Sequence, residues 1–117
     1  MSDRDVCFVS EREARKYFKK NGFYEYYSAF AKNGVLANYQ KKYRGEQGVR
    51  YYIEAELWRM FQHDDYHCVV EFSGQFYKKG THDAVNMTFL GWQLKDVEAW
   101  ADSMFEKGLL EPYSTED

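Results

Sequence analysis

The chain has 117 residues, 44% of them hydrophobic and 30% charged, enough to bury one continuous core without disulfide or metal staples. One proline and eight glycines exclude a collagen-like or low-complexity linker chain, and a net charge of −3 argues against a dedicated nucleic-acid binder. No apolar run reaches the roughly 18 residues of a membrane span and the N-terminus, MSDRDVCFVS, lacks a signal-peptide pattern, so a cytoplasmic protein that does not enter membranes is expected.

The first element starts at Ser10-Glu11-Arg12-Glu13, a capping box: the Ser10 hydroxyl accepts from the Glu13 amide, and Glu13 reaches back to the Ser10 amide. A helix over 11–20 follows, with Ala14, Tyr17 and Phe18 as its inner stripe and Asn21-Gly22 as its C-terminal cap. Next, Asn33-Gly34 is a strong hairpin signal between alternating segments. A two-residue turn there sets Glu25 against Lys42, Phe30 against Ala37 and Tyr24 against Tyr43. That register pairs opposite charges on one face and aromatics on the other, which favours strand over helix for 23–32.

Arg44 to Gly48 reads as a second turn. A strand over 49–60 then places Val49, Tyr51, Ile53, Ala55 and Leu57 on one face and Arg50, Glu54 and Glu56 on the other. Gln62 to His67 is a polar loop. In a fourth strand, 68–78, Cys68, Val70, Phe72 and Phe76 alternate with Glu71, Ser73 and Gln75, and Gly74 suggests a bulge or the close approach of a helix. Thr81 is a good N-cap, and 82–107 reads as helix, either one bent helix or two broken near Gly91–Lys95. Val85, Phe89 and Trp92, then Val97, Trp100, Ala101, Met104 and Phe105, fall at helical spacing. The expected architecture is a single α+β domain over 1–117: an N-terminal helix, a four-stranded antiparallel meander, and a C-terminal helix or helix pair on one sheet face. Residues 1–9 and 111–117 are expected to be flexible ends.

Chemistry-bearing clusters are few. His63 and His67 flank Asp64-Asp65-Tyr66, but they sit in a loop with no third ligand at standard spacing. His82 lies beyond strand 68–78, roughly 36 Å away at ~3.3 Å per residue. Cys68 follows His67, yet neighbours on a strand point to opposite faces, so the pair is no nucleophile and base. Phosphate-cradling and dinucleotide motifs are absent from the sequence, and no enzymatic activity, metal or cofactor is expected. The two cysteines, Cys7 and Cys68, are too few for a disulfide framework and fit a reducing compartment.

Two surfaces remain. Residues 1–50 carry eleven Lys/Arg against six Asp/Glu, and residues 51–117 carry five against thirteen. Within the basic half, Lys16, Lys19 and Lys20, then Lys41, Lys42 and Arg44, interleave with Tyr and Phe, as in modules that bind single-stranded nucleic acid. On the sheet face away from the helices, alternation places Tyr27, Tyr52, Trp58 and Tyr77 among Glu54 and Glu71. Rings among charges are the composition of a protein-binding hot spot, and Tyr52 and Trp58 are expected to stay exposed there.

Thr81 to Gln93 (THDAVNMTFLGWQ), about a tenth of the chain, resembles the ends of small accessory proteins of tailed phages. Small size, aromatic richness, skewed charge and missing catalytic motifs also resemble phage anti-defence proteins such as anti-CRISPRs. The resemblance implies inhibition by binding a host protein or protein complex in the host cytoplasm; separately, a monomer or homodimer is expected. It assigns no residue roles. A small nucleic-acid-binding module is the second expectation, and a metal- or thiol-dependent enzyme the third.

Overall fold

The computed structural model describes residues 6–28, 33–46, 48–59, 68–80 and 83–112. Among them the chain runs β1 (Val6–Phe8), α1 (Glu11–Lys20), β2 (Tyr24–Tyr26), β3 (Val35–Gly45), β4 (Gly48–Arg59), β5 (Cys68–Lys78), β6 (Ala84–Phe89), α2 (Leu94–Glu106) and β7 (Leu110–Glu111). All seven strands join one antiparallel sheet, and both helices pack on the same side of it.

The expected four strands and C-terminal helix pair are therefore corrected. The meander β2–β3–β4–β5 is present, but β5 carries three further strands. On one edge it pairs with β4 along 68–75; on the other, β1 takes 68–70 and β6 takes 72–77. At its far end the Lys78 amide donates to Asp83 O and the Lys79 amide to Leu109 O, both at 3.0 Å, so β7 joins on the β4 side. Segments of the expected flexible ends, 6–8 and 111, are thus strand residues at the sheet's edge.

The larger departure from the expected helix lies in 83–93. Val85 and Phe89 are four apart, a spacing that both a helical turn and a strand satisfy. Met87 decides between them: it packs against the core beside Phe89, with Val85 half-buried on the same side, while Ala84, Asn86 and Thr88 are exposed. Asn, Thr and Val are also indifferent helix formers, and the free edge of β5 offers them a complete ladder. The helix begins only at Leu94, so it is a single helix.

Residues 11–20 are helical as expected. The Ser10 hydroxyl accepts from the Glu13 amide at 3.2 Å. At the other end Gly22 takes φ +83°, which lets the Phe23 amide reach back to Phe18 O at 2.9 Å while the two rings meet edge to face. Phe18 also stacks on Tyr39 at 4.1 Å, docking α1 over β3. Trp100 meets Phe76 and Phe89, and Phe105 lies over Tyr51, docking α2 beside it. Between the helices Glu98 accepts from the Tyr43 hydroxyl and lies 3.9 Å from Lys41 Nζ.

Two register details decide which side chains reach the opposite face. The Asn33-Gly34 hairpin does not form as a two-residue turn. Instead β2 ends at Tyr26, and Glu25 stands opposite Tyr39 rather than Lys42. The odd-numbered slip turns Glu25 to the helix side, where it pairs with Arg15. Phe30 of the expected register lies outside the described residues. A second irregularity, between Tyr43 and Arg44, sends Arg50 to the helix side as well, 3.4 Å from Asp102 and 4.3 Å over the Phe105 ring. Gly74 sits in an unbroken ladder, so no bulge exists there; what approaches it is the Phe76 ring.

Candidate functional site

Alternation along β4 and β5 is as expected. Odd residues of β4 from Tyr51 to Leu57 and even residues of β5 from Cys68 to Phe76 are buried under the helices, and the residues between them form the outer face. Tyr52 stands opposite Gln75, Glu54 opposite Ser73, Glu56 opposite Glu71 and Trp58 opposite Val69. On the far side of β4, β3 sets Lys42 against Tyr52, Gln40 against Glu54 and Asn38 against Glu56. Beyond that, β2 adds Tyr24 and Tyr26. None of the described elements lies across this face.

The face has its own polar order. The Tyr26 hydroxyl donates to Glu54 Oε2 at 2.7 Å, and the Tyr24 hydroxyl donates to Gln40 Oε1. Burial, then the bond to Glu54, pushes the Tyr26 phenol well above its ordinary value of 10.0. The Lys42 ammonium lies 6.0 Å from the Tyr52 ring centroid, a cation–π distance.

Five of the six residues expected in a protein-binding surface, Tyr52, Glu54, Trp58, Glu71 and Tyr77, share this face. Tyr27 does not join them: it follows the end of β2 and is 90% exposed. The register slip that turned Glu25 inward put Tyr26 in the place expected for Tyr27. Tyr52 and Trp58 are half-buried rather than exposed. The Trp58 ring lies against Gly34, its Cε3 3.5 Å from where a β-carbon would stand, and its indole nitrogen is buried. Sequence reasoning also passed over Glu56, although its parity with Glu54 placed it on the same side.

No family model, curated protein or solved structure matches this chain.

The structure divides the basic candidates. Lys16, Lys19 and Lys20 are exposed on α1, and Lys41 is half-buried on the same side of the sheet against Glu98. Lys42 faces the other way over Tyr52, and Arg44 is exposed near the β3–β4 turn. The six cations therefore do not form one groove. His63 and His67 lie outside the described residues, as does His82. Among the described residues no three His, Cys, Asp or Glu side chains are placed to hold a metal ion. The Cys68 thiol is 2% exposed in the core, and burial, reinforced by Glu11, raises its pKa. A thiol kept protonated at neutral pH is a poor nucleophile. Among the described residues, no helix is long and apolar enough to cross a membrane.

Proposed function

We propose that this protein is a non-enzymatic binding protein whose outer sheet face docks on a protein, a phage-encoded inhibitor of the anti-CRISPR kind acting on a host defence complex in the cytoplasm. The observation that carries the reading is the convergence of Tyr26, Tyr52, Trp58 and Tyr77 with three carboxylates on one sheet face that no described element covers. Half-buried rings held in place by their neighbours lose little freedom when a partner desolvates them, which is the behaviour of hot-spot residues. Two free cysteines, one of them buried, suit a reducing compartment.

The test is biological and local. Expression in bacteria that carry CRISPR immunity should restore plating of a targeted phage, and Tyr52→Ala/Tyr77→Ala should lose that restoration while remaining folded. A photo-crosslinker at position 52 should capture a protein whose recovery survives nuclease treatment. Restoration that is absent, or that is untouched by the double substitution, overturns the reading. Capture abolished by nuclease would point instead to nucleic acid.

A further inference from the structure

The outer face contains an arrangement that folding alone disfavours. Glu56 and Glu71 stand directly opposite each other in the β4–β5 ladder, and Glu54 is the next outward residue along β4. Side chains so paired have β-carbons about 4.5–5.5 Å apart, and like charges at that spacing destabilise a sheet. The other cross-strand neighbour of Glu56 is Asn38, and those of Glu54 are Gln40 and Ser73. Among the described residues, therefore, no basic side chain stands directly opposite these carboxylates and no ion pair reaches Glu56 or Glu71. The ion pairs of Arg15 with Glu11 and Glu25, of Lys41 with Glu98 and of Arg50 with Asp102 lie on the helix side.

A metal ion does not explain the cluster, because no three candidate ligands come together among the described residues. A nucleic acid is repelled by it. Rings bracket the carboxylates instead: Trp58 beyond Glu56 at one end, Tyr52 and Tyr77 at the other. Arginine satisfies both surfaces at once, since its planar guanidinium bonds a carboxylate bidentately and stacks on an aromatic ring. Lys42 over Tyr52 already displays half of that pairing within the molecule. Along β5 the face runs from Val69, opposite Trp58, to Tyr77, about 26 Å at ~3.3 Å per residue, the length of an extended eight-residue segment.

We infer that the outer face takes an arginine-bearing extended segment of a protein partner, with Glu54, Glu56 and Glu71 as its counter-charges and Tyr52 and Tyr77 as stacking platforms. This rests on the reading that the face binds protein, and it adds the chemistry of what is bound.

The test uses the full chain and a fluorescein-labelled nine-residue peptide of alternating arginine and glycine, with citrulline replacing arginine in the control. Fluorescence anisotropy should show binding of the arginine peptide and none of the citrulline one. Glu56→Gln/Glu71→Gln should weaken binding by about tenfold or more, whereas Glu13→Gln/Glu106→Gln, removing equal charge from α1 and α2, should change it less than about twofold. Because the first pair relieves repulsion, it should also raise the melting temperature. Equal weakening by both pairs would reduce the effect to net charge and overturn the proposal; a lowered melting temperature would remove the like-charge argument on which it stands. In the phage-plating assay the two readings separate. Loss of restoration with Tyr52→Ala/Tyr77→Ala but not with Glu56→Gln/Glu71→Gln leaves the face a binding surface and sinks only the cationic partner. Insensitivity to both pairs sinks both.

Discussion

At the scale of single residues, the tightest spot in the core is Gly74. A β-carbon there would lie 2.6 Å from Phe76 Cε2, 2.8 Å from its Cζ and 3.3 Å from Ile53 Cδ1. Neither neighbour is free to give way, since both are fully buried and Phe76 is wedged against Tyr51, Phe89 and Trp100. Alanine suits a strand better than glycine, so propensity alone favours the substitution. Overpacking wins by magnitude: Gly74→Ala should cost about 1–3 kcal/mol against a few tenths gained. Urea unfolding checks this, and an unchanged or higher midpoint would mean that the Phe76 ring is not seated where the structure puts it. Arg50 shows how a local irregularity overrides alternation. Period-two reading places it outside with Glu54, but the residue gained at the β3–β4 irregularity brings it over Phe105 and beside Asp102.

At the scale of elements, the residues at issue are those of β6. If 84–89 were helix with Val85, Phe89 and Trp92 inward, Met87 would lie on the opposite, solvated side and tolerate charge. As a strand paired with β5, it faces the core and Thr88 faces solvent. Met87→Asp should therefore destabilise by about 1–2 kcal/mol through a half-buried, unpaired carboxylate set against the core, and Thr88→Asp should stay within about 0.5 kcal/mol. Equal tolerance at both positions, read by thermal unfolding, would return the segment to helix. The contrast with α1 shows what sequence makes legible. Residues 11–20 carry a capping serine, an inner stripe and a terminal glycine that all give one answer, and the bounds agree with the structure. Along β4, alternation from Tyr51 to Trp58 likewise leaves one reading, and with it the membership of Tyr52, Glu54 and Trp58 in the outer face. β1, β2 and β7 have two or three residues each, too few for periodicity to register; the ladder of a neighbouring strand makes them strands. Tyr26 was hidden for the same reason, since its face depends on a pairing partner and not on its own segment.

For the molecule as a whole, the aromatic content that stands out in the composition becomes a layer of rings between sheet and helices, Tyr17, Tyr39, Tyr43 and Tyr51 among them, with Tyr24, Tyr26, Tyr52 and Tyr77 on the outer face. Burial raises the phenols of Tyr17, Tyr26, Tyr39, Tyr43 and Tyr51 above the ordinary 10.0, Tyr39 to about 12. Carboxylates add to it: Glu98 at Tyr17 and Tyr43, Glu54 at Tyr26, Asp102 at Tyr51. Below about pH 9 these phenols are neutral in both folded and unfolded chains, so they impose no slope there. Above it the unfolded chain releases protons that the folded chain still holds, and stability falls as pH rises. Each such ring removes up to about 1.4 kcal/mol per pH unit until its folded pKa is reached, so several titrating together exhaust a stability of ~5–15 kcal/mol within one or two units. The melting temperature should hold level to about pH 9.5 and then drop steeply, and the tyrosinate absorbance of these rings should appear together with loss of far-ultraviolet circular dichroism. A chain that keeps its dichroism to pH 11.5 while all of its tyrosines ionise smoothly would show that these phenols contact water, and the docking of α1 and α2 on Tyr39, Tyr43 and Tyr51 would fall with them.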